Sequence, residues 1–211
     1  MKTKNNKIYP TVDDKRRLYN TYANFYRSRT MKFTRFLSLE YEIFLRLLPG
    51  KKILDLGSGP GRDSVLFKRR GYKPYCLDIS EEMLKLCKKR GLPIIYMDIE
   101  KITLPPDSFD GVWSYTSLTT IPKVKVWKII NKIHKILKKD GLLLLGLIEG
   151  KYEGWKLPDK KYKFARYISR YTVREILEKT DRKFELMYFR RIDKKETKRN
   201  TYLNFIFKKR S

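Results

Sequence analysis

The stretch Lys52-Ile-Leu-Asp-Leu-Gly-Ser-Gly-Pro-Gly-Arg-Asp63 decides the fold. Its first five residues are a short, mostly apolar run of the kind a buried strand needs, and they end in glycines at every second position, 57, 59 and 61. Glycine lets the backbone turn tightly and lets a ligand approach with no Cβ in the way. Asp63 to Arg70 follows with Val65, Leu66 and Phe67 apolar and Gly71 as the stop, which reads as a helix. The wording is GxGxG with Asp55 two residues ahead, not the GxGxxG of a pyrophosphate-gripping turn, and Pro60 removes one N–H that such a grip would use.

Outward from this corner the same alternation repeats. Pro74–Asp78, Pro93–Met97, Phe109–Ser114 and Leu142–Ile148 read as strands. Ser80 caps a helix with Glu81 and Glu82 in its first turn, and Gly91 ends it. Val124–Lys139 carries a helical stripe at 126, 129, 130, 133, 136 and 137, stopped by Asp140-Gly141. Strands without internal polar alternation, separated by helices, predict a parallel sheet covered on both faces, an α/β fold. After Gly150 the pattern changes. Thr172-Val-Arg-Glu175 is a capping box that opens a helix to about Thr180, and Phe184–Ile192 with Thr201–Phe207 reads as an antiparallel pair of strands. Helices are predicted over Asp13–Tyr26 and Thr34–Leu48. The expected organisation is one domain over 1–211: an N-terminal helical cap (1–50), a ligand-binding core (51–150), and a lid, helix and terminal hairpin (151–211).

Composition narrows the function classes. With 41% hydrophobic and 14% aromatic residues, the 211-residue chain has ample material for a core, which excludes intrinsic disorder. Its net charge of +27 attracts polyanions, so nucleic acid, an anionic surface and acidic substrates all stay open beside the reading that the lysines are solvent-facing background. Cys76 and Cys87 show no metal spacing and His134, in the middle of a Lys-rich helix, is the only histidine, so structural zinc is excluded and no metal is expected. The basic Met1–Lys7 is followed by no apolar stretch, and the run Leu142–Ile148 is too short to span a bilayer. The reading is a cytoplasmic protein without membrane insertion; the sequence carries no signal for an oligomeric state.

Three acids fall in register with the glycine turn. Asp55 precedes it; Asp78 ends the second strand, where a carboxylate accepts from both hydroxyls of a ribose; Asp98, with Ile99 beside it, follows the third, where it accepts from the amine of a base. An acid at each of three strand ends describes a pocket for a nucleoside with a cationic tail.

These residues resemble the class I S-adenosylmethionine-dependent methyltransferases, and the small single-domain, small-molecule type in particular. The resemblance implies a Rossmann-like seven-stranded sheet ordered 3-2-1-4-5-7-6, the last strand antiparallel, with S-adenosyl-L-methionine as cofactor. It implies that Asp55, Gly57, Ser58, Gly59 and Gly61 line the methionine and ribose side, that Asp78 with Ile79 holds the ribose diol, and that Asp98 with Ile99 addresses adenine. In this subfamily a Tyr-Asp-x-x-Ala-x-x-Tyr motif precedes the sheet. Tyr19-Asn-Thr-Tyr-Ala-Asn-Phe-Tyr26 matches it except at Asn20, and Tyr26 would then cover the methionine end.

For the acceptor, Ser114, Tyr115, Thr116 and Ser117 are expected on one wall and Glu149 on the other, with Tyr152 and Trp155 on a loop over 150–163 as a lid. Tyr115 and Glu149 are the catalytic candidates. Tyr115 either bonds the acceptor or packs; Glu149 either binds an amine or takes a proton, or faces solvent. No Asn-Pro-Pro-Tyr or Asp-Pro-Pro-Tyr clamp for a base amine follows the fourth strand, and no cysteine is placed as a nucleophile. Tyr162, Phe164, Tyr167 and Tyr171, interleaved with Lys160, Lys161, Lys163, Arg166 and Arg170, form either a surface for stacking bases and binding phosphates or a lid with its rings turned inward. The expected function is methyl transfer to a nitrogen or oxygen of a small-molecule acceptor. The alternatives are a methyltransferase for RNA or a ribonucleoprotein, and, last, a binding module without catalysis.

Overall fold

The computed structural model describes residues 9–159 and 162–210, apart from the side chains of 29–33. The N-terminal basic stretch Met1–Lys7 and the pair Lys160 and Lys161 lie outside the described residues.

The strands are β1 (Lys52–Leu56), β2 (Lys73–Asp78), β3 (Ile94–Tyr96), β4 (Phe109–Tyr115), β5 (Leu137–Ile148), β6 (Glu153–Lys156), β7 (Arg166–Ser169), β8 (Phe184–Ile192) and β9 (Tyr202–Lys209). Seven of them form one sheet in the order β3-β2-β1-β4-β5-β9-β8, while β6 and β7 pair as a separate hairpin. With that hairpin left out of the count, this is the expected order. β9 runs antiparallel to both β5 and β8, and the other pairs in the sheet are parallel.

Alternate residues of the central strands feed two cores. Leu54, Leu56, Val112, Leu143 and Leu145 meet Ile129, Ile130 and Ile133 of α6 (Lys123–Ile136) and Ile176 of α7 (Val173–Thr180). Ile53, Trp113, Leu142 and Leu144 meet Tyr41 and Phe44 of α3 (Ser38–Leu47) and Phe67 of α4 (Arg62–Arg69). Both faces are covered, which is why these strands lack polar alternation. On β2 the chain runs into α5 (Glu81–Lys88), whose cap is Ser80, its hydroxyl accepting from the Met83 N–H at 3.2 Å. The Thr172 capping box opens α7 as expected. Among the described residues no helix is long and apolar enough to cross a membrane.

Three local expectations change. The N-terminal helix breaks at Tyr22 into α1 (Val12–Thr21) and α2 (Ala23–Thr30), and a 3-10 turn over Met31–Phe36 leads to α3. The helix predicted to Lys139 ends at Ile136, because Leu137 is already extended and pairs with Phe109 as the first residue of β5. Its side chain is fully buried, so it extends the apolar stripe by one position although its backbone has left the helix. The loop predicted over 150–163 contains β6, which pairs with β7 from Glu153 opposite Ser169 to Lys156 opposite Arg166. Between β8 and β9 lies a short helix, α8 (Lys194–Thr197).

Candidate active site

The glycine turn folds over the end of β2. The N–H groups of Gly57 and Ser58 both donate to the Leu77 carbonyl, at 2.8 and 3.0 Å. The next donor, Gly59 N–H, meets Asp78 Oδ2 at 2.8 Å, and Ser80 N–H meets Asp78 Oδ1 at 2.9 Å. Burial raises the Asp78 pKa despite these donors. Each of its oxygens keeps a further lone pair for a ligand hydroxyl. Asp55 is also buried, accepting from the Ser64 hydroxyl at 2.7 Å; burial first, and the nearby Asp63 second, raise its pKa well above the usual range. After β3, Asp98 Oδ1 accepts from the Glu100 N–H at 3.0 Å, whereas its buried Oδ2 has no hydrogen-bond partner among the described residues.

The ends of β1 to β4 open on a cavity of about 390 Å³. Asp55, Gly57, Ser58, Gly59, Asp78, Ile79, Asp98, Ile99, Tyr26 and Tyr115 all line it, together with Thr116 and Ser117. Gly59 has φ +53°, and a Cβ built there meets nothing within 4 Å, so the turn presents bare backbone. Arg62 and Asp63 sit in its floor as a buried ion pair with contacts of 2.5 and 2.7 Å, and Trp113 Nε1 and the Tyr41 hydroxyl also donate to Asp63. Burial opposes the Arg62 charge, but Asp63 outweighs it and raises the pKa. Tyr115 is buried beside this pair, and desolvation raises its phenol pKa well above the usual range.

The roof has two parts. From α1 and α2 come Lys15, Tyr19 and Tyr26; burial pushes the Tyr19 phenol up to about 12. From the β6–β7 hairpin and its connection come Lys156, Tyr162, Arg166, Tyr167, Ile168 and Arg170. The two parts meet ring to ring, Tyr22 on Phe164 at 4.0 Å and Phe25 against Tyr162 at 5.8 Å between centroids.

Some of the expected site residues are not brought to the cavity. Glu149 follows Ile148 with the alternation of the strand, so Ile148 faces in and the Glu149 carboxylate faces out, where Arg191 forks it at 2.8–3.1 Å. It is therefore not positioned as a base. Gly61 has its absent side chain directed at Leu92 and Cys87, so it serves helix packing behind the turn and not the ligand side. Ser114 likewise turns away, its hydroxyl bonded to that of Ser117 at 2.8 Å. Tyr152 is 42% and Trp155 38% exposed, with Trp155 edge-on to Tyr167. Phe164, Tyr167 and Tyr171 are buried, so this segment is no stacking surface.

Sequence reasoning missed Lys15, whose only signal is three-dimensional: on an amphipathic helix a lysine reads as solvent-facing, yet here it is 7% exposed and bonded to Glu100 at 2.5 Å. It also missed that Arg166 and Arg170 face inward with the rings, and that Lys156, Arg199, Asn200 and Tyr202 join them.

S-adenosylmethionine fits this donor and acceptor set. The orphaned Asp98 Oδ2 lacks the amine donor that adenine carries, Asp78 has lone pairs for a diol, and the bare backbone at Gly59 leaves room for the ribose and chain.

Comparison with known proteins agrees. A family model described as a methyltransferase domain matches residues 54–145. An uncharacterized protein of Methanocaldococcus jannaschii is 32% identical over 144 residues, which are 65% of this chain and 67% of that one. The malonyl-[acyl-carrier protein] O-methyltransferase of Hamiltonella defensa is 27% identical over 66% of this chain, and the match spans 58% of its length, less than two thirds. Among solved structures, the 1,6-didemethyltoxoflavin-N1-methyltransferase of Burkholderia thailandensis, bound to its substrate and S-adenosylhomocysteine, superposes with a TM-score of 0.70 at 19% identity, covering 92% of this chain and 88% of that one. At that identity the likeness is one of fold. Glycine turn, strand-end acids, sheet order and family match point the same way: the chain belongs to the class I S-adenosylmethionine-dependent methyltransferases.

Proposed function

We propose that this protein transfers a methyl group to a nitrogen or oxygen of a small-molecule acceptor. The observation that carries the reading is the roof: rings of Tyr22 and Phe25 and rings from the hairpin segment meet above a cavity of about 390 Å³ that cofactor and acceptor would share, which suits an enclosed small acceptor. S-adenosylmethionine supplies a sulfonium methyl as electrophile when bound, so the protein has to align a nucleophile and exclude water. Asp55 and Gly57–Gly59 hold the methionine and ribose side, Asp78 the diol, and Asp98 with Ile99 the base. Tyr26 covers the methionine end. Tyr115, a protonated phenol at the end of β4, donates to the acceptor and orients it. A nitrogen or oxygen acceptor brings its own lone pair, which suits a wall of Tyr115, Thr116 and Ser117 with no carboxylate base on it.

The inward turn of Tyr167 and Tyr171 favours this reading over one with RNA, since it takes away the rings on which bases would stack. Two free, buried thiols at Cys76 and Cys87 support a reducing cytoplasm as the location. The test is transfer of a labelled methyl group into a cell extract separated into small molecules, RNA and protein. Label in the small-molecule fraction is expected; label confined to RNA or protein would refute it.

A further inference from the structure

We propose that the acceptor is an anion, and that Lys156, Arg166 and Arg170 hold its carboxylate or phosphate group in the half of the cavity under the hairpin. The inference rests on the small-molecule methyltransferase reading and adds the chemical class of the acceptor.

The charges lining the cavity are segregated. Its acids, Asp55, Asp63, Asp78 and Asp98, all belong to the side formed by β1 to β3 and the start of α4. Of the basic residues on that side, Lys15 is answered by Glu100 at 2.5 Å and Arg62 by Asp63. The opposite wall carries Lys156, Arg166 and Arg170 of the hairpin and Arg199 ahead of β9, and among the described residues no carboxylate on that wall lines the cavity. The nearest acids are engaged elsewhere. Glu149 is forked by Arg191, and Glu153 accepts from the Lys123 N–H at 2.8 Å and the Tyr167 hydroxyl at 3.0 Å. Asp159 takes one nitrogen of Arg166 at 3.1 Å from the solvent side.

Lys156 and Arg170 are held in place without an ion pair among the described residues, and Arg166 meets its one carboxylate, Asp159, from the solvent side. Arg170 donates to the Glu149 carbonyl at 3.1 Å and to Asn200 Oδ1 at 3.0 Å, both uncharged acceptors, which leaves its remaining donors and its full charge. Arg166 lies 3.8 Å over the Tyr162 ring, and its buried Nη1 has no hydrogen-bond partner among the described residues. Lys156 lies 5.9 Å over the Tyr152 ring and forms no ion pair among the described residues. Cations gathered in a half-closed space repel one another, and a buried donor without a partner is costly; an anion relieves both. Two guanidiniums and an ammonium suit the oxygens of a carboxylate or a phosphate. Ile148, Ile168 and Tyr202 offer apolar contact to the rest of the molecule.

The test is calorimetry on the full chain saturated with S-adenosylhomocysteine at 0.15 M-type physiological salt, titrated with benzoate, phenyl phosphate and the neutral benzamide. At least one anion is expected to bind about tenfold or more tightly than benzamide, as one charge-assisted contact allows. The stronger of the two identifies carboxylate or phosphate. Lys156→Gln and Arg170→Gln should each lower that affinity several-fold while leaving benzamide and S-adenosylhomocysteine binding unchanged. Lys156→Gln guards against misfolding, because Lys156 bonds no other backbone segment through its side chain among the described residues. Benzamide binding as well as both anions, no anion binding to the loaded protein, or an anion preference untouched by both variants overturns the proposal. Failure of S-adenosylhomocysteine itself to bind overturns the methyltransferase reading beneath it.

Discussion

Lys15 of α1 and Glu100, which follows β3, form an ion pair of 2.5 Å with side chains only 8% and 14% exposed. The same ammonium lies 3.9 Å from Asp98 Oδ1, so the first helix is fastened to the corner proposed to receive the base. Lys125 of α6 completes the cluster at 2.7 Å from the other Glu100 oxygen. Burial opposes the Glu100 charge, but hydrogen bonds from Lys125 and Lys15 outweigh it and hold its pKa below the ordinary 4.5.

Replacing Lys15 by Met should therefore cost about 1.5–3 kcal/mol, the worth of a hydrogen bond to a charged group, because Glu100 keeps Lys125. The sign of the pH effect follows from the direction of the shift. A carboxylate depressed in the folded state adds stability that is complete above its unfolded pKa and is lost as pH falls through the folded value. Asp55 and Asp78, raised by burial, run the other way, so the readout is the difference between wild type and variant. Urea denaturation from neutral to acid pH should show that difference shrinking as the pH drops below 4.5.

Asp98→Asn should invert the preference for the base. With Oδ1 kept for the Glu100 N–H, the amide places an N–H₂ where the orphaned Oδ2 now waits for a donor. S-adenosylhomocysteine should bind about tenfold more weakly, and S-inosylhomocysteine, which carries a carbonyl in place of the amine, should gain relative to it. Equal losses for both ligands would mean that Asp98 does not meet the base.

The last two glycines of the turn should separate binding from stability. Gly59→Ala puts a methyl group into open space at φ +53°, at the cost of a left-handed alanine, about 1 kcal/mol, while blocking the ligand. Gly61→Ala adds the same backbone strain at φ +75° and drives its Cβ to 2.8 Å from Leu92 and 2.9 Å from Cys87. Overpacking of that kind costs about 1–3 kcal/mol more. Thermal unfolding should show the larger loss for position 61, and calorimetry the larger loss of S-adenosylhomocysteine affinity for position 59.

Glu149→Gln should leave labelled-methyl transfer within about twofold of wild type, since an exposed ion pair contributes little and the carboxylate faces away from the cavity. Tyr115→Phe should lower it about tenfold, the worth of one lost hydrogen bond to the acceptor, without moving S-adenosylhomocysteine affinity.

What was legible in the sequence were features with local causes. The apolar runs of β1, β2, β4 and β5 are bounded by turn residues, Ser80 and Thr172 announce their helices by capping, and the glycines with Asp55, Asp78 and Asp98 mark the strand ends. The sheet order came from the family resemblance, not from periodicity. The misses have non-local causes. The strands β6 and β7 are four residues each, one of them containing Gly154, too short and mixed for a period of two to stand out. Lys15 is buried by partners from 85 residues away. Glu149 lies one step past an inward-facing residue, and that single step decides which side of the wall its carboxylate occupies.

The contact of Tyr22 and Phe25 with Phe164 and Tyr162 ties the N-terminal helices, proposed to cover the cofactor, to the hairpin proposed to hold the acceptor. On the proposed function, one opening movement would serve both ligands, because separating these rings would uncover both ends of the cavity. Occupancy of either side then favours the closed arrangement for the other, and by thermodynamic reciprocity each ligand tightens its neighbour by the same factor. An ordered exchange follows, in which spent cofactor leaves readily only after the methylated product has gone.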